Sequence, residues 1–198
     1  MDYIPYGKQF IDKEDKKSVL NSLSNDLITT GPLVEKFEKE LNKYLKCKYS
    51  YVCSSGTAAI HLAMLAIGLK KDDVILMPAV NFIASYNLAK IMQLKVFLVD
   101  VDEYTGQITP NKIIECIEKN KLIKISVLLT MYMGGFPENV QNLYTLRNKY
   151  KFLIIEDACH ALGSKYLYKK KVFKIGSCKH ADISTFSMHP LKTITSGE

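Results

Sequence analysis

The sequence predicts an α/β domain built on a mostly parallel sheet with helices on both faces. Three observations carry that prediction. Short apolar runs bounded by polar residues recur at 74–77, 96–99, 123–129, 152–155 and 183–186, with the length and composition of strands buried on both faces. Helical spacing of apolar residues separates several of these runs, at 83–92, 110–119 and 140–150, and strands joined by helical crossovers pair in parallel. Finally, 198 residues of which 47% are hydrophobic and 24% charged, with no repeat and no low-complexity linker, are enough to bury one sizeable core.

Taken in order, residues 1–32 read as an N-terminal arm and residues 33–198 as the domain proper. Val34, Phe37, Leu41, Tyr44 and Leu45 fall on one face of an amphipathic helix, and Val52 leads into Ser54-Ser55-Gly56-Thr57-Ala58-Ala59 and a second helix rich in Ala and Leu. The alternating strands and helices follow. Lys169, Lys170 and Lys171 beside Tyr166 and Tyr168 mark a hairpin tip. In such a sheet, ligands gather beyond the carboxyl ends of the strands, so the residues just after each apolar run are the ones to inspect.

Composition removes several function classes. The mean hydropathy is −0.01, and the longest apolar stretches are far shorter than the roughly 18–20 residues of a membrane span. Met-Asp-Tyr-Ile-Pro-Tyr at the N-terminus has neither a basic start nor an apolar signal core, which leads us to expect a cytoplasmic protein. The excess of 27 basic over 20 acidic residues could serve a nucleic acid or an anionic membrane. However, Arg147 is the lone arginine, and the lysines are scattered over helical faces, so neither partner is expected. The five cysteines, Cys47, Cys53, Cys116, Cys159 and Cys178, form no Cys-x-x-Cys pair and read as reduced thiols. Cys159 beside His160 fits either a nucleophile or a small buried residue. No metal-ligand spacing links His61, His160, His180 and His189, and no metal is expected.

Three segments carry candidate chemistry. The Ser54–Ala59 turn opens a helix whose free N–H groups, with the hydroxyls of Ser55 and Thr57, suit a phosphate, although an ordinary N-cap has the same composition. The run Phe-Leu-Ile-Ile-Glu156-Asp157-Ala-Cys-His160-Ala-Leu-Gly163 ends a buried strand in a carboxylate aimed at the ligand crevice. A turn Asp with a structural His is the alternative. In Asp182-Ile-Ser184-Thr-Phe-Ser187-Met-His189-Pro190-Leu-Lys192, a strand ends in a polar turn bearing a lysine. Pyridoxal 5'-phosphate makes all three demands together: a lysine for the Schiff base, an anion site for its phosphate, and a carboxylate that keeps the pyridine nitrogen protonated.

These motifs, Ser-Gly-Thr-Ala, then Glu-Asp-Ala-x-His-Ala-x-Gly, then Phe-Ser-x-His-Pro-x-Lys-x-Ile-Thr-x-Gly-Glu, resemble the sugar aminotransferases of the DegT/DnrJ/EryC1/StrS family. The resemblance extends over essentially the whole sequence. It implies the large domain of the aspartate-aminotransferase architecture, PLP fold type I, truncated before the small C-terminal domain, since family members run to roughly twice this length. The opening Ile4-Pro5-Tyr6-Gly7-Lys8-Gln9 and Thr29-Thr30-Gly31-Pro32 are similar to one branch of the family, the UDP-4-amino-4,6-dideoxy-N-acetyl-altrosamine transaminases of pseudaminic acid synthesis.

Carried over by position, the resemblance implies that Lys192 forms the Schiff base and moves the proton, that Asp157 pairs with the ring nitrogen, and that His160 lies beside the phenolic oxygen. Gly56, Thr57, Ala58 and Ser187 would hold the phosphate, and Phe82 would stack on the ring. Tyr6, Asp26, Leu27, Ile28 and Thr29 match arm positions that line the sugar-nucleotide pocket. Asn81 and Met188 stand where the family usually has Thr and Phe, which bears on specificity rather than on chemistry. The implied reaction moves an amino group from L-glutamate to a 4-keto-6-deoxy UDP-N-acetyl-hexosamine, in an enzyme that is a homodimer when full length. In the family's dehydratases a histidine replaces the lysine, so Lys192 favours transamination. The alternatives are another nucleotide-sugar aminotransferase of the family, or a catalytically incomplete or purely binding protein of the same fold, for which Arg147 is the sole arginine available to a diphosphate or a substrate carboxylate.

Overall fold

The computed structural model describes residues 4–5 and 7–197. Along the chain it forms α1 (Lys13–Leu23), α2 (Pro32–Leu45), α3 (Gly56–Ala66), β1 (Val74–Pro78), α4 (Ala84–Ile91), β2 (Lys95–Val99), α5 (Pro110–Lys119), β3 (Val127–Met131), α6 (Val140–Tyr150), β4 (Leu153–Asp157), β5 (Lys165–Tyr168), β6 (Lys171–Lys174) and β7 (Ile183–Thr185). Five of the strands make one sheet in the order β2-β1-β3-β4-β7. Every pairing in that sheet is parallel. The chain steps outward from β1 to β2, returns to the far side of β1 as β3, and then continues through β4 to β7. The β1–β3 boundary is therefore a topological switch point, where a crevice opens beyond the strand ends.

Strand alternation sorts the core into two layers. Leu76, Leu128 and Ile154 pack with Ile113, Cys116 and Ile117 of α5 and with Leu143 and Leu146 of α6. Ile75, Met77, Val127, Leu129 and Ile155 pack with Ile60, Ala63 and Met64 of α3 and with Leu88 and Ala89 of α4. By the same parity, Asp157 belongs to the α3 face and Glu156 to the opposite one. The two helices that matter most here start on clear signals. Ser55 caps α3, its Oγ accepting the Ala58 N–H at 3.1 Å, and Thr109 caps α5 ahead of Pro110.

One detail differs from the sequence reading, and two others extend it. The run at 123–129 becomes strand only from Val127. Ile123 is fully exposed, because the ladder with β1 begins at the pair Ile75 and Val127 and Ser126 is held just before it by a 2.6 Å bond to Asp73 Oδ1. The arm contains a helix, α1, opened by a reciprocal capping box between Asp12 and Asp15. The lysine tip joins a complete antiparallel hairpin, β5–β6, in which Lys169 and Lys170 occupy the left-handed region at φ 46° and 61°. That hairpin docks through His180, whose Nδ1 shares a 2.6 Å hydrogen bond with the Tyr166 hydroxyl and whose ring is edged by Tyr144, Tyr168 and Phe173.

Among the described residues, no helix is long and apolar enough to cross a membrane, and no group of three or more His, Cys, Asp or Glu side chains is placed to hold a metal ion.

Candidate active site

A cavity of about 520 Å³ lies beyond the carboxyl ends of β1, β3 and β4, walled by the N-terminus of α3 and by the turn that follows β7. Gly56, Thr57, Phe82, Asp157, His160, Ser187 and Lys192 all line it. Residues far apart in sequence meet here because the parallel sheet sends each strand end to the same edge.

Asp157 closes β4 and is buried, with Met131 of β3 and Thr185 of β7 as its ladder partners. Its Oδ1 accepts the Cys159 N–H at 3.2 Å, which fixes the carboxylate in the turn. Lys192 sits in a turn of its own, its N–H donating to the His189 carbonyl at 2.8 Å. Both reach their neighbours electrostatically. Burial first, and the Lys192 charge second, hold His160 below the usual imidazole range against an opposing pull from Asp157, so the ring is kept neutral. Burial, followed by the Asp157 carboxylate, pushes the Cys159 thiol far above its ordinary value. Cys159 itself is part-buried and lines the cavity, with its Sγ close beneath Gly56, and a thiol held protonated is a poor nucleophile.

The phosphate cradle is a close approach between two segments. A Cβ built on Gly56 would come within 3.0 Å of Ser187 Cβ and 3.1 Å of Cys159 Sγ, so glycine lets the first turn of α3 close on the Ser187 turn without displacing either neighbour. The Ser55 hydroxyl oxygen is spent as the helix cap. Ala58 gives its N–H to that cap and stands outside the cavity lining. Gly56 and Thr57 remain as the positions at the positive end of the helix dipole that face the cavity. Asn81 adds a donor, because its buried Nδ2 in the cavity wall has no hydrogen-bond partner among the described residues. Buried donors are seldom left so, and this one marks the place of an acceptor on a bound group. A helix N-terminus, a buried acid, a lysine, an aromatic wall and an orphaned donor around one cavity fit pyridoxal phosphate.

The arm positions behave differently. Tyr6 lies outside the described residues. Asp26, Leu27, Ile28 and Thr29 are exposed in the α1–α2 connection, and none lines the cavity. The arm does reach the lysine turn at Gly7, which packs on Leu191. Arg147, reserved by the sequence reading for an anionic substrate group, is instead committed to the fold. Its Nε donates to Asp182 Oδ2 at 3.0 Å and its Nη2 to Asp182 Oδ1, and Asp182 also accepts the Ile154 N–H at 2.8 Å. Met131 and Met133 line the cavity without having been singled out; their position just after a buried strand was the available signal.

A family match to the DegT/DnrJ/EryC1/StrS aminotransferases spans residues 9–198. The chain belongs to the DegT/DnrJ/EryC1/StrS aminotransferase family. Two curated relatives fit that membership. The UDP-4-amino-4,6-dideoxy-N-acetyl-beta-L-altrosamine transaminase of Campylobacter jejuni subsp. jejuni serotype O:23/36 (strain 81-176) is 36% identical over 98% of this chain and 50% of its own length. The GDP-perosamine synthase of Escherichia coli O157:H7 is 32% identical over 100% of this chain and 52% of its own. Among solved structures, the PseC aminotransferase of Helicobacter pylori superposes with a TM-score of 0.83 at 26% identity, covering 100% of this chain and 51% of that one. NtdA of Bacillus subtilis with bound PMP superposes at 0.80 and 33% identity, over 93% and 40%. The chain thus has the mostly parallel sheet and covering helices of solved PLP-dependent aminotransferases, and it spans about half the length of the curated relatives it matches.

Proposed function

We propose that residues 33–198 are the cofactor-binding large domain, and residues 1–32 an arm, of a PLP-dependent sugar-nucleotide aminotransferase. Its acceptor would be a 4-keto-6-deoxy UDP-N-acetyl-hexosamine and its donor L-glutamate. Pyridoxal 5'-phosphate is the expected cofactor, and when bound it supplies the electron sink that makes the carbon bearing the amino group acidic. The observation that carries this reading is the meeting of Lys192, Asp157 and the α3 N-terminus around one cavity.

The chain's own residues divide the work. Gly56 and Thr57 at the helix N-terminus, with Ser187, hold the phosphate. Phe82 supports one face of the ring. Asp157, buried at the strand end, keeps the ring nitrogen protonated by offering a fixed negative charge in a site of low dielectric. His160, held neutral, takes its place beside the phenolic oxygen. Lys192 would hold the cofactor at rest, and its free amine would take the proton from the donor's α carbon and, in the second half-reaction, give a proton to the sugar carbon.

The relatives favour a nucleotide sugar as acceptor, the Campylobacter enzyme favours the UDP series, and the likeness to the Helicobacter PseC aminotransferase supports pseudaminic acid synthesis. The Escherichia relative acts in the GDP series, so a GDP-linked 4-keto sugar is the competing substrate. Because Arg147 is bound to Asp182, the diphosphate is left to groups other than an arginine of this chain. We place the working enzyme in the cytoplasm as a homodimer in which a partner and the remainder of the family's length complete the sugar site.

Adding pyridoxal phosphate to the purified chain is expected to give the near-visible absorption of a lysine-linked cofactor, and Lys192→Ala is expected to abolish it. An unchanged spectrum in the variant overturns the reading. Amine formation measured against UDP- and GDP-linked 4-keto sugars then separates the two substrate classes.

A further inference from the structure

Immediately behind Asp157, on the other face of the sheet, lies a fully buried acid that the chemistry above does not use. Glu156 is 3% exposed. The Tyr132 hydroxyl, itself buried, donates to its Oε1 at 2.6 Å, and the Ser184 hydroxyl donates to its Oε2. The two donors come from different strands. Tyr132 follows β3 and Ser184 lies within β7. The backbone repeats the connection, since Thr185 Oγ1 donates to the Glu156 carbonyl at 3.2 Å and the Ala158 N–H to the Thr185 carbonyl at 2.9 Å.

These are the strand ends that carry the cavity wall. Met131 and Met133 stand either side of Tyr132, Asp157 is next to Glu156, and the turn bearing Ser187 and Lys192 begins just after Thr185. A carboxyl group is an expensive way to fill a buried site, and burial raises the Glu156 pKa against the pull of its hydrogen-bond donors. An apolar side chain of similar volume would fill the space at lower cost. What it could not do is accept two directional hydrogen bonds that tie the end of β4 to β3 on one side and β7 on the other.

We propose that Glu156 is a positioning residue for Asp157, locking the end of β4 to β3 and β7 from the rear of the sheet so that the Asp157 carboxylate is presented at a fixed distance from the cofactor ring nitrogen. The proposal rests on the cofactor reading above. Asp157 touches the cofactor; Glu156 acts only through it, as outer-shell partners do when they orient a ligating group.

The test is a pH titration of the near-visible absorption of the pyridoxal phosphate-loaded 198-residue chain, with the cofactor dissociation constant measured on the same samples. Glu156→Ala is expected to weaken cofactor binding about tenfold or more, the size typical of losing an outer-shell partner, and to lower the titration midpoint because the Asp157 charge is less well held. Glu156→Gln, which preserves shape and one acceptor, is expected to recover most of both. Tyr132→Phe and Ser184→Ala each remove one donor and are expected to move the midpoint in the same direction by less, and they decide the question if Glu156→Ala does not fold. A merely structural role would lower the melting temperature without moving the midpoint, so folded variants with the parent's midpoint and dissociation constant overturn the proposal. A parent chain that develops no near-visible band overturns the cofactor reading instead.

Discussion

The α-carbon of Gly135 lies directly against the backbone of His160: a Cβ at position 135 would stand 2.3 Å from the His160 carbonyl oxygen. Gly135 is also at φ +82°, and its carbonyl accepts the Ser164 hydroxyl, so the turn after β3 and the turn after β4 are fitted back to back. Gly135→Ala must therefore displace the His160 turn. We expect it to cost about 2 kcal/mol or more, and to weaken pyridoxal phosphate binding as well, checked by urea denaturation and by absorbance titration.

Gly56→Ala tests the cradle rather than the fold. The added methyl meets Ser187 and Cys159 at distances that require a shift of a few tenths of an ångström. Apart from that contact, alanine is the better helix residue at position 56. The expected result is a small change in melting temperature with a cofactor dissociation constant raised about tenfold, a loss of some 1.4 kcal/mol. A variant that binds as tightly as the parent would remove Gly56 from the phosphate site.

The Arg147–Asp182 pair should behave as structure alone. Its side chains are about a quarter exposed, so Arg147→Ala is expected to cost about 1–2 kcal/mol. Asp182→Ala should cost more, about 2–3 kcal/mol, because it strips a partner from the Ile154 N–H as well as from the guanidinium. Neither should change cofactor affinity. A substrate or cofactor effect specific to Arg147→Ala would return that residue to the binding site.

The hairpin tip can be improved. Lys169 and Lys170 both sit at positive φ, the conformation that a two-residue turn between twisted strands asks for and that Asn-Gly adopts more readily. Replacing the pair by Asn-Gly is expected to raise unfolding free energy by about 1 kcal/mol, read from denaturant midpoints at unchanged slope.

His160 gives a pH signature. Its folded pKa lies below its unfolded value, so its contribution to stability is present above the unfolded value of about 6.5 and is lost as pH falls through the folded pKa. Burial sets that direction first and the Lys192 charge adds to it, while Asp157 opposes. In a histidine NMR titration, Lys192→Ala should therefore move His160 upward and Asp157→Asn should move it downward. Shifts of the opposite sign would mean that these groups do not face the imidazole.

The centre of the sheet was legible because β1, β3 and β4 are buried on both faces, and a continuous apolar run is what such burial requires. The same cue misled at Ile123, where an apolar side chain lies in solvent because the ladder with β1 begins only at Val127. The β5–β6 strands left only a weak trace, since each is four residues long and β6 is bracketed by lysines. Site residues at strand and helix ends could be read from motif and position together. Glu156 could not, because two adjacent acids look alike in sequence. Only strand parity says that one faces the cavity and the other the rear. Asp26 to Thr29 rest on likeness to a longer protein alone, since none of them lines the cavity.

β7 holds to β4 by only three residue pairs, yet it carries the segment that brings Ser187 and Lys192 to the cavity. A molecule gripped at once by the start of α3 and by that segment ties together points separated by more than half of the chain. It would act as a reversible cross-link over the largest loop in the domain. Its binding energy would appear chiefly as resistance of the last strand to detachment, so ligand occupancy and the integrity of the sheet edge would rise and fall together.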